Sequence, residues 1–148
     1  MRVVVQRSLA SHVSVASNCV GKIEHGLVLF VGFTEGDTKE DIDYLVQKII
    51  HLRIFDDENG VMNKSILEVS GQILSISQFT LFADTKKGNR PSYRKALGGE
   101  EASFLYELFN QTLQQYVPVE TGIFGADMQV SILNDGPVTI LFDSKNCL

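Results

Sequence analysis

The apolar residues of this chain change period twice, and that limits the folds open to it. Ile42, Leu45, Val46, Ile49 and Ile50 recur at i, i+3, i+4, i+7 and i+8, the stripe of an amphipathic helix. Phe104, Leu105, Leu108, Phe109, Thr112, Leu113 and Tyr116 repeat that spacing. Around these two stripes the apolar residues alternate or form short runs, as in strands. A helix with one apolar stripe must bury it, and among many strands the available surface is a sheet. The expected order is β-β-β-α-β-β-α-β-β-β. The fold class is α/β: layers of mixed, mainly antiparallel strands, β-barrel-like, with two amphipathic helices on one face of a sheet. A second sheet or a partner covers the other face.

The strand readings carry their own detail. Val3, Val5, Arg7 and Leu9 share one face of a first strand. Arg7 is therefore a charge on an apolar face and needs a partner or a cavity. Val13 and Val15 suggest a second strand, and Leu27 to Phe33 a fully buried one. Asp37 or Thr38 suits the N-cap of the first helix, which ends near His51. Asp56 to Gly60 is a turn, Gln72 to Phe82 a long strand, and residues 83–99 a loop. Pro118 ends the second helix. Met128 to Leu133 and Val138 to Phe142 are the last strands. With 148 residues and no linker, the chain reads as a single domain, 1–148.

Several classes are excluded or disfavoured. The longest apolar run, Leu27 to Val31, is far short of the roughly 20 residues of a spanning helix. The N-terminal stretch turns polar after Val3, Val4 and Val5, so it does not read as a signal peptide. The expected location is cytoplasmic, with Cys19 and Cys147 as reduced thiols. There is no glycine-rich phosphate loop, HExxH, paired CxxC or GxSxG elbow. His12, His25 and His51 are scattered, and His51 reads as a helix-end residue bonding the last carbonyls. No metal site is expected.

Three segments are odd. In Ser75-Ile76-Ser77-Gln78-Phe79-Thr80-Leu81, polar residues interrupt faces that should be apolar. That fits either polar positions near a strand end or a strand end offering hydroxyl, amide and backbone donors to a small ligand. In Asn134-Asp135-Gly136-Pro137-Val138-Thr139, Asp-Gly signals a hairpin, while the following Pro cannot donate to a ladder. The residues alone favour a tight turn with a trans Pro. Finally, the net charge of −5 points away from nucleic acid, yet its distribution is uneven. Lys86, Lys87, Arg90, Arg94 and Lys95 are five of 13 basic residues, leaving 8 against 18 acidic ones elsewhere, a balance of −10. The 86–95 loop is either a solvated loop or a local anion site for phosphates, with Tyr93 available for stacking.

Taken together, these segments closely resemble the D-aminoacyl-tRNA deacylases. The resemblance rests on Met1-Arg2-Val3-Val4-Val5-Gln6-Arg7, Ser77-Gln78-Phe79-Thr80, Asn89-Arg90-Pro91-Ser92-Tyr93, Gly125-Ala126-Asp127-Met128 and Asn134 to Thr139, in that order. Tyr93 stands where the family often has Phe. The resemblance implies hydrolysis of the ester between a D-amino acid and the 3′-terminal adenosine of tRNA, with glycyl-tRNA accepted too. It implies β/β/α layers, no cofactor, and a homodimer with active sites at the subunit interface. Ser77, Gln78, Phe79 and Thr80 would be catalytic. Gly136 and Pro137, joined by a cis peptide, would reach from one subunit into the other's site and exclude L side chains. Met128, Ala126 and Arg7 would join them in substrate binding, Arg7 as support for the Gly-Pro motif. Lys86, Lys87, Arg90, Arg94 and Lys95 would hold the acceptor end of tRNA.

Thr80 carries the obvious nucleophilic hydroxyl, but the sequence offers no activating base. The favoured alternative is attack by water assisted by the terminal ribose 2′-hydroxyl, with the protein supplying position and an oxyanion site. Two other readings stay open: a catalytically idle RNA-binding or scaffolding dimer, and a hydrolase of some other small acyl ester.

Overall fold

The structure is a computed structural model describing residues 1–146, so Cys147 lies outside the described residues. In chain order the strands are β1 (Arg2–Ser8), β2 (Ser11–Val15), β3 (Asn18–Ile23), β4 (Gly26–Gly32), β5 (Phe55–Asp56), β6 (Met62–Lys64), β7 (Gln72–Ser77), β8 (Val119–Thr121), β9 (Gln129–Ser131) and β10 (Asn134–Asp143). Helix α1 (Lys39–Ile50) follows β4, and α2 (Gly99–Gln114) precedes β8.

The apolar patterns dictate the layers. β4 is buried on both faces and lies at the centre of a five-stranded sheet, order β10-β1-β4-β7-β8. On one face, Val3, Val5, Leu27, Leu29, Val31 and Ile73 pack against the stripes of α1 and α2. On the other, Val28, Leu74 and Ile76 meet Val13 and Ile23 of a second sheet, order β3-β2-β9. The result is β/β/α. Among the described residues the sheets stay open, so the barrel-like expectation gives way to two stacked sheets. Strand pairing is mixed, because β7 runs parallel to both β4 and β8.

Helix α1 starts as its sequence requires. Thr38 is the N-cap and exchanges hydrogen bonds with Asp41, while Asp37 is buried and accepts from the Met1 ammonium at 2.7 Å. Strand β3 is additional to the expected order. Its first three residues are exposed, and its turn places Ala16 and Ser17 at φ 49° and 68°, with no Asn-Gly to announce it.

Candidate active site

The sequence stops behaving as a strand at Ser77, and so does the backbone. The Gln78 N–H donates to the Val31 carbonyl at 2.7 Å, the last rung beside β4, which itself ends at Gly32. With no neighbour left to pair, the chain turns into a 3-10 helix over Phe79–Phe82. The Gln72–Phe82 strand expected from sequence is therefore a strand followed by a turn. Gly32 permits it, since a Cβ there would lie 2.8 Å from the Gln78 carbonyl oxygen.

Beside this turn opens a cavity of about 490 Å³, within the range of small-molecule sites. Ser77, Gln78 and Phe79 form one wall, and Ala126 and Met128 form another. Those five residues were expected in the site and do converge. Phe30, Gly98, Gly99 and Phe124 also line the cavity, and no pattern in the sequence marks them as site residues. Phe124 adjoins the Gly125-Ala126-Asp127-Met128 motif, which was the available signal. Phe79 and Tyr93 stand at the rim, half-exposed, with ring centroids 5.1 Å apart at 72°. The cavity thus combines apolar walls with an aromatic pair free to take a flat ring.

Thr80 is exposed and does not line the cavity. Its Oγ1 accepts from the Gln78 Nε2 at 2.6 Å. Among the described residues no carboxylate or imidazole bonds to it, so its hydroxyl has no base at hand.

Arg7, Gly136 and Pro137 lie elsewhere in the chain. β10 does not form a hairpin with β9: it pairs with β1, and β9 pairs with β2. Between the pairs Gln6–Thr139 and Ser8–Asn134, residues 135–138 loop out of β10 as a bulge opposite Arg7. The tight turn with a trans Pro is corrected on both counts, as the Gly136–Pro137 bond is cis. Side chains tie the bulge down. Asn134 Nδ2 donates to the carbonyls of Arg7 and Val138, both at 3.0 Å. Arg7 Nε donates to the Asp135 carbonyl at 3.1 Å, and Nη1 to the Ile54 carbonyl at 2.7 Å. The Asp56 and Asp135 carboxylates stand 3.5 and 3.4 Å from the guanidinium. Arg7 is thus buried with its charge paired and its Nε and Nη1 bonded to carbonyls.

The register separates this bulge from the cavity of its own chain. Ser77 is level with Val31, Val3 and Phe142, five residues along β10 from Pro137. Because residues 135–138 loop out opposite Arg7, four residues along β1 from Val3, the separation is roughly 13 Å along the strand, with three strand spacings of about 4.8 Å across. The outward face between them is apolar and unfinished. Leu141, Val4, Phe30 and Ile76 form a cross-strand row from the open edge of β10 into the cavity, and Leu141 is 57% exposed.

The basic loop rises beside the Phe79–Tyr93 rim. Asp84 and Ser92 exchange backbone hydrogen bonds of 2.8 and 2.9 Å at its neck. Lys86, Lys87, Arg90 and Arg94 are exposed, and among the described residues they pair with no carboxylate. Lys95 does, at 3.4 Å from Asp84. The Lys86 backbone N–H and then Lys95 hold the Asp84 carboxyl below its ordinary range. Among the described residues no cluster of three or more His, Cys, Asp or Glu could hold a metal, and no helix is long and apolar enough to cross a membrane.

Comparison with known proteins agrees with this geometry. A solved structure of a c-Myc DNA unwinding element binding protein shares 39% identity, covers 97% of this chain and 98% of its own, and superposes with a TM-score of 0.91. A probable eukaryotic D-amino acid tRNA deacylase shares the fold at 19% identity, covering 95% and 97%, with a TM-score of 0.82. The sequence profile of D-Tyr-tRNA(Tyr) deacylase matches residues 4–143. The chain belongs to the D-Tyr-tRNA(Tyr) deacylase family and is by that membership a tRNA deacylase, a hydrolase of carboxylic esters.

Proposed function

We propose that this chain is a cytoplasmic, homodimeric D-aminoacyl-tRNA deacylase. It hydrolyses D-aminoacyl and glycyl esters at the acceptor end of tRNA and rejects L-aminoacyl esters through Gly136 and Pro137 of a second copy. One domain, 1–148, carries the whole activity. The observation that carries the reading is the split of the family motifs. Ser77, Gln78, Phe79, Ala126 and Met128 line one cavity, while the Gly136–Pro137 bulge projects from the opposite end of the sheet. A two-fold partner lying on the Leu141-Val4-Phe30 row would bring its own bulge to that cavity. It would also cover the open edge of β10, which a lone chain leaves unpaired.

Chiral selection then works by exclusion. Backbone carbonyls of the tethered bulge accept from the ammonium of the aminoacyl group and leave no room for an L side chain. A D side chain points outward, and glycine has none to exclude. The terminal adenine has the Phe79–Tyr93 pair to lie against. The ribose 2′-hydroxyl assists water at the ester carbonyl, and backbone N–H groups at Phe79 and Thr80 stabilise the oxyanion.

The test is deacylation of D-Tyr-tRNA and L-Tyr-tRNA by the purified protein. The D ester and Gly-tRNA should disappear while the L ester survives. Cleavage of both enantiomers, or of free esters, would instead indicate a general ester hydrolase. The relative named for a DNA element favours a second reading, a nucleic-acid-binding protein without catalysis. That protein would leave the D ester as long-lived as in buffer. Thr80→Ala should keep most of the single-turnover rate. A loss of several orders of magnitude would make Thr80 the nucleophile.

A further inference from the structure

The Phe79–Phe82 turn has only four residues, and a 3-10 helix this short is weak on its own. Phe82 is buried at 6% exposure while Phe79 is 54% exposed in the cavity wall. The pitch of the turn therefore decides where the Phe79 ring and the Thr80 hydroxyl stand, and something outside it must fix that pitch. Arg2 is in place to do so. It lies at the start of β1, in register with Gly32 on one side and Asp143 on the other. Its Nε donates to Asp143 Oδ2 at 2.8 Å, and its Nη1 to the Leu81 carbonyl at 2.9 Å. Its guanidinium carbon lies 4.5 Å from the centroid of the Phe82 ring. One planar group thus holds the turn by a carbonyl and by a ring face.

The other end of the contact is anchored. The Asp143 side chain is 3% exposed. Its Oδ1 accepts the backbone N–H groups of Lys145 and Asn146 at 2.9 and 3.2 Å, so both carboxylate oxygens are engaged. Burial pushes this carboxyl up, but the bonds from Arg2 and those N–H groups outweigh it and leave it below the usual range. Asp143 therefore keeps its charge and cannot turn away from Arg2.

We infer that Arg2 is a positioning residue of the deacylase site, clamping the Phe79–Phe82 turn to the end of β10 so that the Phe79 ring and the backbone N–H groups at Phe79 and Thr80 are presented to the ester. This rests on the deacylase reading above. A lysine would not serve, because an ammonium lacks the planar fork that reaches two acceptors in different directions.

The experiment compares wild type, Arg2→Lys and Arg2→Ala in single-turnover hydrolysis of D-Tyr-tRNA, well below their melting temperatures. The rate at saturating enzyme should fall about 10-fold in the Lys variant and about 100-fold in the Ala variant. The enzyme concentration at half-saturation should stay within about twofold, since the tRNA-binding loop is untouched. A residue that only stabilised the fold would leave the saturated rate unchanged, and that result would overturn the inference. Amide hydrogen exchange without tRNA gives an independent readout. Residues 79–83 should exchange faster in Arg2→Ala while α1 and α2 do not change, and unchanged protection at 79–83 would equally overturn it. Wild-type protein that leaves the D ester intact would sink the deacylase reading, while the exchange measurement would still decide whether Arg2 holds the turn.

Discussion

Gly136→Ala should lower kcat/KM for D-Tyr-tRNA by about two orders of magnitude in a protein that still folds. Gly136 sits at φ +128°, a region L side chains rarely adopt. A Cβ there would lie 2.8 Å from Val138 Cγ2, 3.0 Å from the Val138 nitrogen and 3.1 Å from Arg7 Nη2. None of these can easily give way. The Val138 carbonyl is held by Asn134, and Arg7 is held by the Ile54 carbonyl at 2.7 Å. The bulge must move instead, and a displacement near 1 Å at a reacting centre costs on the order of 100-fold. The strain itself is on the order of 1–3 kcal/mol, a melting-temperature loss of several degrees. Affinity for tRNA should not change, because the basic loop is untouched. Rejection of L-Tyr-tRNA should weaken with the loss of D hydrolysis. A variant with wild-type D rate and intact L rejection would remove the bulge from the active site.

Mixing separates a bulge acting in its own chain from one acting across a dimer. Gly136→Ala protein and Phe79→Ala protein should each be poorly active. In a mixed two-fold dimer one of the two composite sites is intact. After subunit exchange about a quarter of wild-type activity should return, since about half the dimers are mixed. No recovery, with exchange demonstrated independently, would place the bulge and the cavity in separate functions.

Much of the architecture was legible because burial imposes a period. The stripes from Ile42 to Ile50 and from Phe104 to Tyr116 give α1 and α2, and the run from Leu27 to Phe33 gives the central strand. What escaped depends on contacts distant in sequence. Nothing local says that β4 ends at Gly32 and leaves the chain beyond Gln78 without a neighbour; that follows only from the parallel register of β4 and β7. Asn134 to Pro137 has the composition of a hairpin turn, yet β9 and β10 belong to different sheets, so the same residues become a bulge. Arg7 was legible as a charge in need of partners, though not which ones. Ile54 and Asp135 lie 47 and 128 residues away. The motif residues of the cavity stood out because polar groups interrupted an apolar strand. Phe30 and Phe124 did not, because an aromatic residue in an apolar stretch looks the same facing a core or a cavity.

Charge reversal of Arg90 and Arg94 together should raise the tRNA concentration needed for half-maximal hydrolysis about 10- to 100-fold at low salt. The saturated single-turnover rate should remain that of wild type. Both side chains are exposed and among the described residues no carboxylate pairs with them, so their charge is available to phosphate. The loop should keep its shape, because the Asp84–Ser92 backbone pair at its neck and the Lys95–Asp84 contact involve neither arginine. Each lost phosphate contact removes about 0.7–0.9 from the slope of log affinity against log salt, so two should flatten it by about 1.5. The variant also moves the net charge from −5 to −9, which repels any polyanion. Lys22→Glu with Lys48→Glu changes the net charge equally at exposed positions outside the loop, and it should leave the slope nearly intact. The contrast matters because the chain as a whole is acidic. If tRNA were held by a diffuse field, the two double variants would behave alike. If it is gripped at its acceptor end by one loop beside the Phe79–Tyr93 rim, only the Arg90 and Arg94 pair lowers the slope. Equal slopes in all three proteins would leave that loop merely solvated.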